Sequence, residues 1–269
     1  MGITKQEIEK QKIERLGEIG ISSDGYEIKI VEYNETRDII IEFQDEHKAR
    51  TRGNYQQFQK GAFKNPYHRS VCGVGYLGEG EYKVGKDGKH TSAYKVWIKM
   101  LQRCYDAYYI NKRPTYIDCY VCEKWHNFQN FAKWFYKNYY EIEGQQMHLD
   151  KDILYKGNKI YSPNTCVFVP ERINALFTKG NKIRGIYPIG VHKHLNRCLV
   201  AQCSIFKDGE RKFIYLGSFS LDKPFQAFYS YKVFKENYIK QVADEYKDLI
   251  PKELYDAMYK YEVEINDWK

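Results

Sequence analysis

Between His148 and Asn174 the chain reads HLDKDILYKGNKIYSPNTCVFVPERIN. One carboxylate, Asp150, is followed at a distance by two amides, Asn164 and Asn174. An anionic oxygen with amide oxygens beside it is a hard donor set, suited to a divalent cation such as Mg²⁺ or Mn²⁺. On a strand, side chains two residues apart share a face. His148 and Asp152 would therefore flank Asp150, Asp152 as a second metal ligand. A free imidazole titrates near ~6.5, which suits His148 as a general base. Lys151, with a free value near ~10.4, is protonated at neutral pH and suits a phosphate grip better than proton abstraction.

Two further stretches raise questions of chemistry. Cys119-x-x-Cys122-x3-His126, with Cys104 or Cys166 as a fourth ligand, has the residue types of a zinc knuckle. A second paired half-motif is missing, so structural zinc is not the expectation. GVGYLGEGEY (73–82) is glycine-rich but opens no helix, so it reads as turns rather than a phosphate cradle. The segment Lys182–Gly217 holds seven Lys/Arg and two acids. His192, His194, Arg197, Gln202, Lys207 and Lys212 within it are candidate contacts to DNA bases and phosphates. The plainer alternative is a solvated basic face on a structural domain.

The elements that position these residues follow from periodicity. Residues 1–20 read as an amphipathic helix with Ile8, Ile13, Leu16 and Ile19 on one stripe. A β-hairpin follows in GYEIKIVEYNETRDIIIEFQD (25–45), turning at Asn34–Arg37. Lys48, Arg50, Arg52, Lys60, Lys64, His68 and Arg69 are its basic neighbours, either phosphate contacts or a solvated face. Residues 83–92 read as a linker, and 93–105 as a helix capped by Thr91 or Ser92. A second helix over 125–140 turns Trp125, Phe128, Phe131, Phe135 and Tyr139 inward. In the quoted stretch MHLDKDIL and TCVFVP read as strands, and Pro170 opens a helix carrying Asn174. After a linker at 178–185 come three short strands, with turns at Asn196 and Asp208-Gly209, and a long helix from about Leu221 to Lys247. A last helix closes the chain.

The segment from Tyr94 to Phe177 resembles phage-encoded HNH homing-type endonucleases. YKVWIKMLQRCYD, CEKWHNFQNFAKW and LDKDILYKGNKIYSPNTCVFVPERIN carry the resemblance. It implies a ββα-metal core in which Asp150, Asn164 and Asn174 match the family's strand Asp, loop Asn and helix residue. Lys151 stands where the family has its general-base His. IGVHKHLNRCLVAQCSIFKDGERKFIYLGSFSLDKPFQAFYSYKVFKE is similar to APETALA2-type DNA-binding domains, which lay a three-stranded sheet on the major groove. Gly190-Val191, Arg197, Ala201, Leu216-Gly217-Ser218-Phe219, Ala227 and Tyr231 match. The usual Trp after the Arg is absent.

The expected architecture is α+β. It comprises an N-terminal β-rich module (1–85), an HNH-like core (90–180) and an APETALA2-like sheet packed on a helix (183–269). The expected function is hydrolysis of DNA phosphodiesters. A divalent ion on Asp150 and Asn174 would be supported by Asn164, with His148 activating water and Lys151 holding the phosphate. Two other readings stay open. One is a degenerate scaffold that binds double-stranded DNA without cutting. The other is a module that blocks a host or defence protein through its tyrosine-rich surface. The net charge of +8 favours a polyanionic partner. The 26 Tyr, 14 Phe and 4 Trp suit interfaces as well as cores. With no signal-peptide pattern and no run of ~18 apolar residues, a cytoplasmic protein with reduced thiols and no membrane partner is expected.

Overall fold

The computed structural model describes residues 4–177, 186–195, 197–207, 209–265 and 267, with Lys207 described by its backbone alone. The expected linker 178–185 and the turn residues Asn196 and Asp208 lie outside them. The fold is mixed α+β, built from several small sheets and, among the described residues, eight α-helices. Two compact units divide the chain, residues 1–137 and 138–269, and the boundary falls inside 90–180.

In the first unit, helix α1 (Lys5–Arg15) starts on a capping box between Thr4 and Glu7. It ends at Arg15, short of the expected residue 20. Gly17 takes a left-handed φ of 88° and donates to Ile30 O at 2.8 Å, which turns the chain into strand β1 (Ile19–Ile21). Ile13, Leu16 and Ile19 are exposed rather than packed as a stripe. Strands β2 (Glu27–Glu35), β3 (Asp38–Phe43) and β4 (Arg50–Gly53) complete an antiparallel sheet in the order β1-β2-β3-β4. One face, with Ile28, Ile30, Tyr33, Ile39, Ile41 and Phe43, buries against Phe58 of helix α2 (Tyr55–Gln59) and Phe63.

The expected linker at 83–92 is a tight hairpin instead, β5 (Gly85–Lys86) and β6 (Lys89–His90). Asp87 and Gly88 both take positive φ, which matches the twist of a two-residue turn. Helix α3 (Ser92–Tyr105) is capped by Thr91 and buries Ala93, Trp97, Met100, Leu101 and Cys104. Gly75 lies against it, where a Cβ would sit 2.5 Å from Leu101. Helix α4 (Ala107–Lys112), strand β7 (Tyr120–Val121) and helix α5 (Phe128–Asn138) follow. Trp125 precedes α5, on a short 3-10 turn, and its carbonyl accepts the Trp97 indole at 2.7 Å.

In the second unit, strand β8 (Met147–Asp150) pairs antiparallel with β10 (Val167–Pro170), and β9 (Ile160–Tyr161) lies in the loop between them. Helix α6 (Glu171–Phe177) follows directly. Pro170 is therefore the last strand residue, not the first helical one. Strands β11 (Val191–His194), β12 (Cys198–Lys207) and β13 (Glu210–Phe219) form a three-stranded antiparallel sheet. Gly190 leads into it with φ 77°, and a Cβ there would fall 2.1 Å from the Tyr231 ring. Helix α7 (Pro224–Glu245) serves both parts. Its first half packs Ala227, Phe228 and Tyr231 on the sheet. Its second half packs Ile239, Val242 and Ala243 on Val167, Val169 and Ile173, joined by Leu254 and Met258 of helix α8 (Lys252–Tyr259). The hairpin and the sheet thus share one helix within a single unit.

Candidate functional site

The register of the β8–β10 hairpin decides which residues meet. Asp150 pairs with Val167, and His148 with Val169. Val167 and Val169 bury together with Ile173 of α6. His148 and Asp150 therefore lie on the hairpin face that α6 covers. Asn174, next to Ile173, is half-buried on that helix.

Asp150 ends its strand. Its Oδ1 accepts the backbone N–H of Asp152 and of Ile153, both at 2.7 Å. This local turn breaks the expected strand 147–154, because a short carboxylate offers the backbone a better partner than a ladder would. Burial raises the Asp150 pKa, against those two N–H bonds that lower it. Among the described residues no hydrogen bond reaches Oδ2, which leaves one carboxylate oxygen available.

Several expected roles do not survive the geometry. Lys151 is 6% exposed. Its ammonium donates to Asp152 Oδ1 and to Asn158 O, both at 2.7 Å, and lies 5.8 Å from the Tyr161 ring. Burial with two close acceptors makes it an internal clasp of the 151–160 loop, not a phosphate clamp. Asp152 leaves the strand face at the turn and is exposed, its carboxylate engaged by Lys151. The second-ligand role goes with it. Nε2 of His148 is shielded from solvent, so it faces no attacking water in this arrangement. Asn164 is exposed on the Ser162–Thr165 turn, ahead of the ladder that ends at Val167–Asp150. The loop side chain that feels the Asp150 charge is Cys166, whose thiol burial pushes up to about 12.

Asn158 is the residue that sequence reasoning missed. Its Nδ2 donates to Lys151 O at 2.8 Å and Ile160 O at 2.7 Å. The Gly157-Asn158 pair, a turn signal between the two expected strands, was the available signal.

The zinc candidates are occupied in folding the first unit. His126 Nε2 lies 3.1 Å from Val121 O, and Cys119 Sγ points at Thr115 O. None of the seven cysteines is in a disulfide. Among the described residues no group of three or more His, Cys, Asp or Glu could hold a metal ion. Mg²⁺ is ordinarily held by one or two carboxylates, waters and substrate phosphates rather than an all-protein cage. The open oxygen of Asp150 fits that mode of binding.

On the β11–β13 sheet, Leu199, Ala201 and Cys203 face α7, so the alternate residues face away. Register places His192, His194 and Gln202 on the open side, joined by Phe206, Arg211, Phe213 and Tyr215. Arg197 is exposed in the β11–β12 turn. Lys212 pairs with Ile205, on the helix side of the ladder, so it does not join that face. The side chain of Lys207 lies outside the described residues. Between the sheet, α6 and α7 is a cleft of about 980 Å³ lined by Arg172, Arg211, Phe234, Lys235 and Tyr246. Arg172 pairs with Glu245, and burial lowers the Lys235 pKa.

In the first unit, Arg50 and Arg52 have acidic partners yet stay mostly exposed, at 59% and 69%. They pair with Glu42 at 2.9 Å and Asp38 at 2.5 Å across the sheet. No helix among the described residues is long and apolar enough to cross a membrane. Comparisons of the chain with protein-family models, with curated proteins and with solved structures return no match.

Proposed function

We propose that the protein is a DNA-binding nuclease of the HNH type, hydrolysing phosphodiesters at Asp150 with a divalent metal. One observation carries the reading: His148 and Asp150 lie on the hairpin face that α6 covers. That is the strand–strand–helix order the resemblance implies. Asp150 offers its second oxygen, while two backbone N–H groups fix the first. A bound Mg²⁺ or Mn²⁺ would supply Lewis-acid stabilisation of charge on the phosphate. Asn174 stands on the helix over the same face, and the excess of basic residues favours a polyanionic substrate.

A plasmid-nicking assay with Mg²⁺ or Mn²⁺ tests this. Cleavage is expected from the parent protein and lost in Asp150→Asn, with gel-shift affinity retained. Cleavage that persists in Asp150→Asn sinks the assignment.

A second reading has its own support: a scaffold that binds DNA without cutting. Lys151 fills the family's base position and is buried, and Nε2 of His148 is shielded. Under that reading DNA shifts in a gel but stays intact with either metal.

A further inference from the structure

The open face of the β11–β13 sheet carries large apolar side chains where a solvated sheet would carry polar ones. Phe213 and Tyr215 are each 64% exposed, and Phe206 is 50% exposed. Phe213 and Tyr215 are alternate residues of β13, so strand rise sets them roughly 7 Å apart on one side. Phe206 sits diagonally across on β12, where its direct partner is Arg211. Phe213 and Tyr215 stand clear of the cleft that Phe206 helps to line, and their rings are mostly in solvent. His192 and His194 extend the row along β11.

Charge identifies the occupant. The open-side residues of the three strands include no Asp or Glu. Arg197 lies in the turn at one end, and Arg211, opposite Phe206, stands at the other, where Phe206 and Arg211 also border the cleft beside α7. Exposed aromatic faces without acids, flanked by guanidinium groups, match bases that have left the double helix. They match an intact major groove poorly. Base edges there are read by Arg, Lys, Asn or Gln, and among the described strand side chains this face offers only Gln202 and Arg211.

We infer that the open face of the β11–β13 sheet stacks unpaired bases on Phe206, Phe213 and Tyr215, so that the protein binds single-stranded DNA or the melted part of a duplex. The inference rests on the reading that the protein binds DNA, and adds which form of it this face takes. Each ring offers a flat apolar surface that any base can cover, so the preference is for strandedness rather than sequence.

The test uses the full chain, a fluorescein-labelled oligodeoxythymidine and an unlabelled duplex of equal length, at low salt. The oligodeoxythymidine binds, and Phe213→Thr and Tyr215→Thr each weaken it about tenfold. Duplex binding is unchanged in both. Tyr215→Trp retains the affinity, and its indole fluorescence is quenched by the oligonucleotide. Unchanged single-strand affinity in both Thr variants overturns the inference. Duplex binding without single-strand binding also overturns it and leaves the DNA-binding reading standing. Failure to bind either form sinks both. Self-association that the Thr variants abolish, with DNA affinity unaltered, marks the face as a protein interface and overturns the inference.

Discussion

The β8–β10 hairpin and the β11–β13 sheet are mounted on the same helix, α7, yet they use their side chains in opposite ways. The hairpin turns polar groups inward. Lys151, Asn158 and one oxygen of Asp150 are taken up in closing the 151–160 loop and ending the strand. The sheet turns apolar groups outward, with Phe206, Phe213 and Tyr215 in solvent. In the hairpin, a charged residue in a motif is no guide to what it touches, because local backbone groups compete for it first. In the sheet, an aromatic in a strand is no guide to burial, because alternation gives it equal access to either face.

The contrast breaks most severely if the hairpin loses its seat on α7. Ile173 is fully buried between the hairpin and α7. Ile173→Ala is expected to cost about 2–5 kcal/mol in urea unfolding, from lost burial and the cavity left behind. A value below about 1 kcal/mol would mean that α6 does not close the hairpin core.

Next comes the clasp. Lys151→Met keeps most of the volume but leaves Asn158 O without its donor, which costs about 1–3 kcal/mol. DNA affinity is expected to hold. A phosphate clamp would give the reverse result, with intact stability and weakened binding.

What the sequence made legible follows the same division. Strand alternation and helix periodicity located the hairpin within 25–45, α3, the three strands of the sheet and α7, because burial imposes those periods. The segment 83–92 was misread because composition alone does not separate a polar linker from a tight turn. Asp87 and Gly88 both at positive φ make it a hairpin. At the candidate site, Asp150 and its hairpin were readable, whereas the fates of Lys151 and Asp152 were not. Both depended on the strand ending at Asp150, and that ending is set by two side-chain-to-backbone bonds with no periodic signature. The unpatterned open face was read by its basic residues, while its aromatics went unremarked. Only register shows that Lys212 leaves that face and Phe213 stays on it.

Acidity sharpens the contrast further. Burial raises the Asp150 pKa above its unfolded value. Between the two values the folded state keeps a proton that the unfolded state has released. Stability from this group is therefore lost as pH rises through that window, and the penalty stays constant above it. Asp150→Asn removes the ionisation and keeps an oxygen for the two N–H donors. The variant is expected to be more stable than the parent at about pH 7, with the gap closing towards about pH 4 in a urea series. Mn²⁺ is expected to stabilise the parent and not the variant, since an ion that binds only the folded state adds to its stability.

The smallest expected effect is the most discriminating. Phe213 and Tyr215 are mostly in solvent, and among the described residues their one side-chain hydrogen bond runs from Tyr215 Oη to exposed Ser218 at 2.8 Å. Threonine keeps the β-branched preference for a strand, so Phe213→Thr and Tyr215→Thr remove rings without disturbing the ladder. Thermal unfolding is expected to show changes within about 0.5 kcal/mol. Rings that supported the fold would cost several times more, as is expected of Ile173 on the hairpin. A near-zero result, set beside the loss of single-strand affinity, separates a surface built for binding from one built for packing.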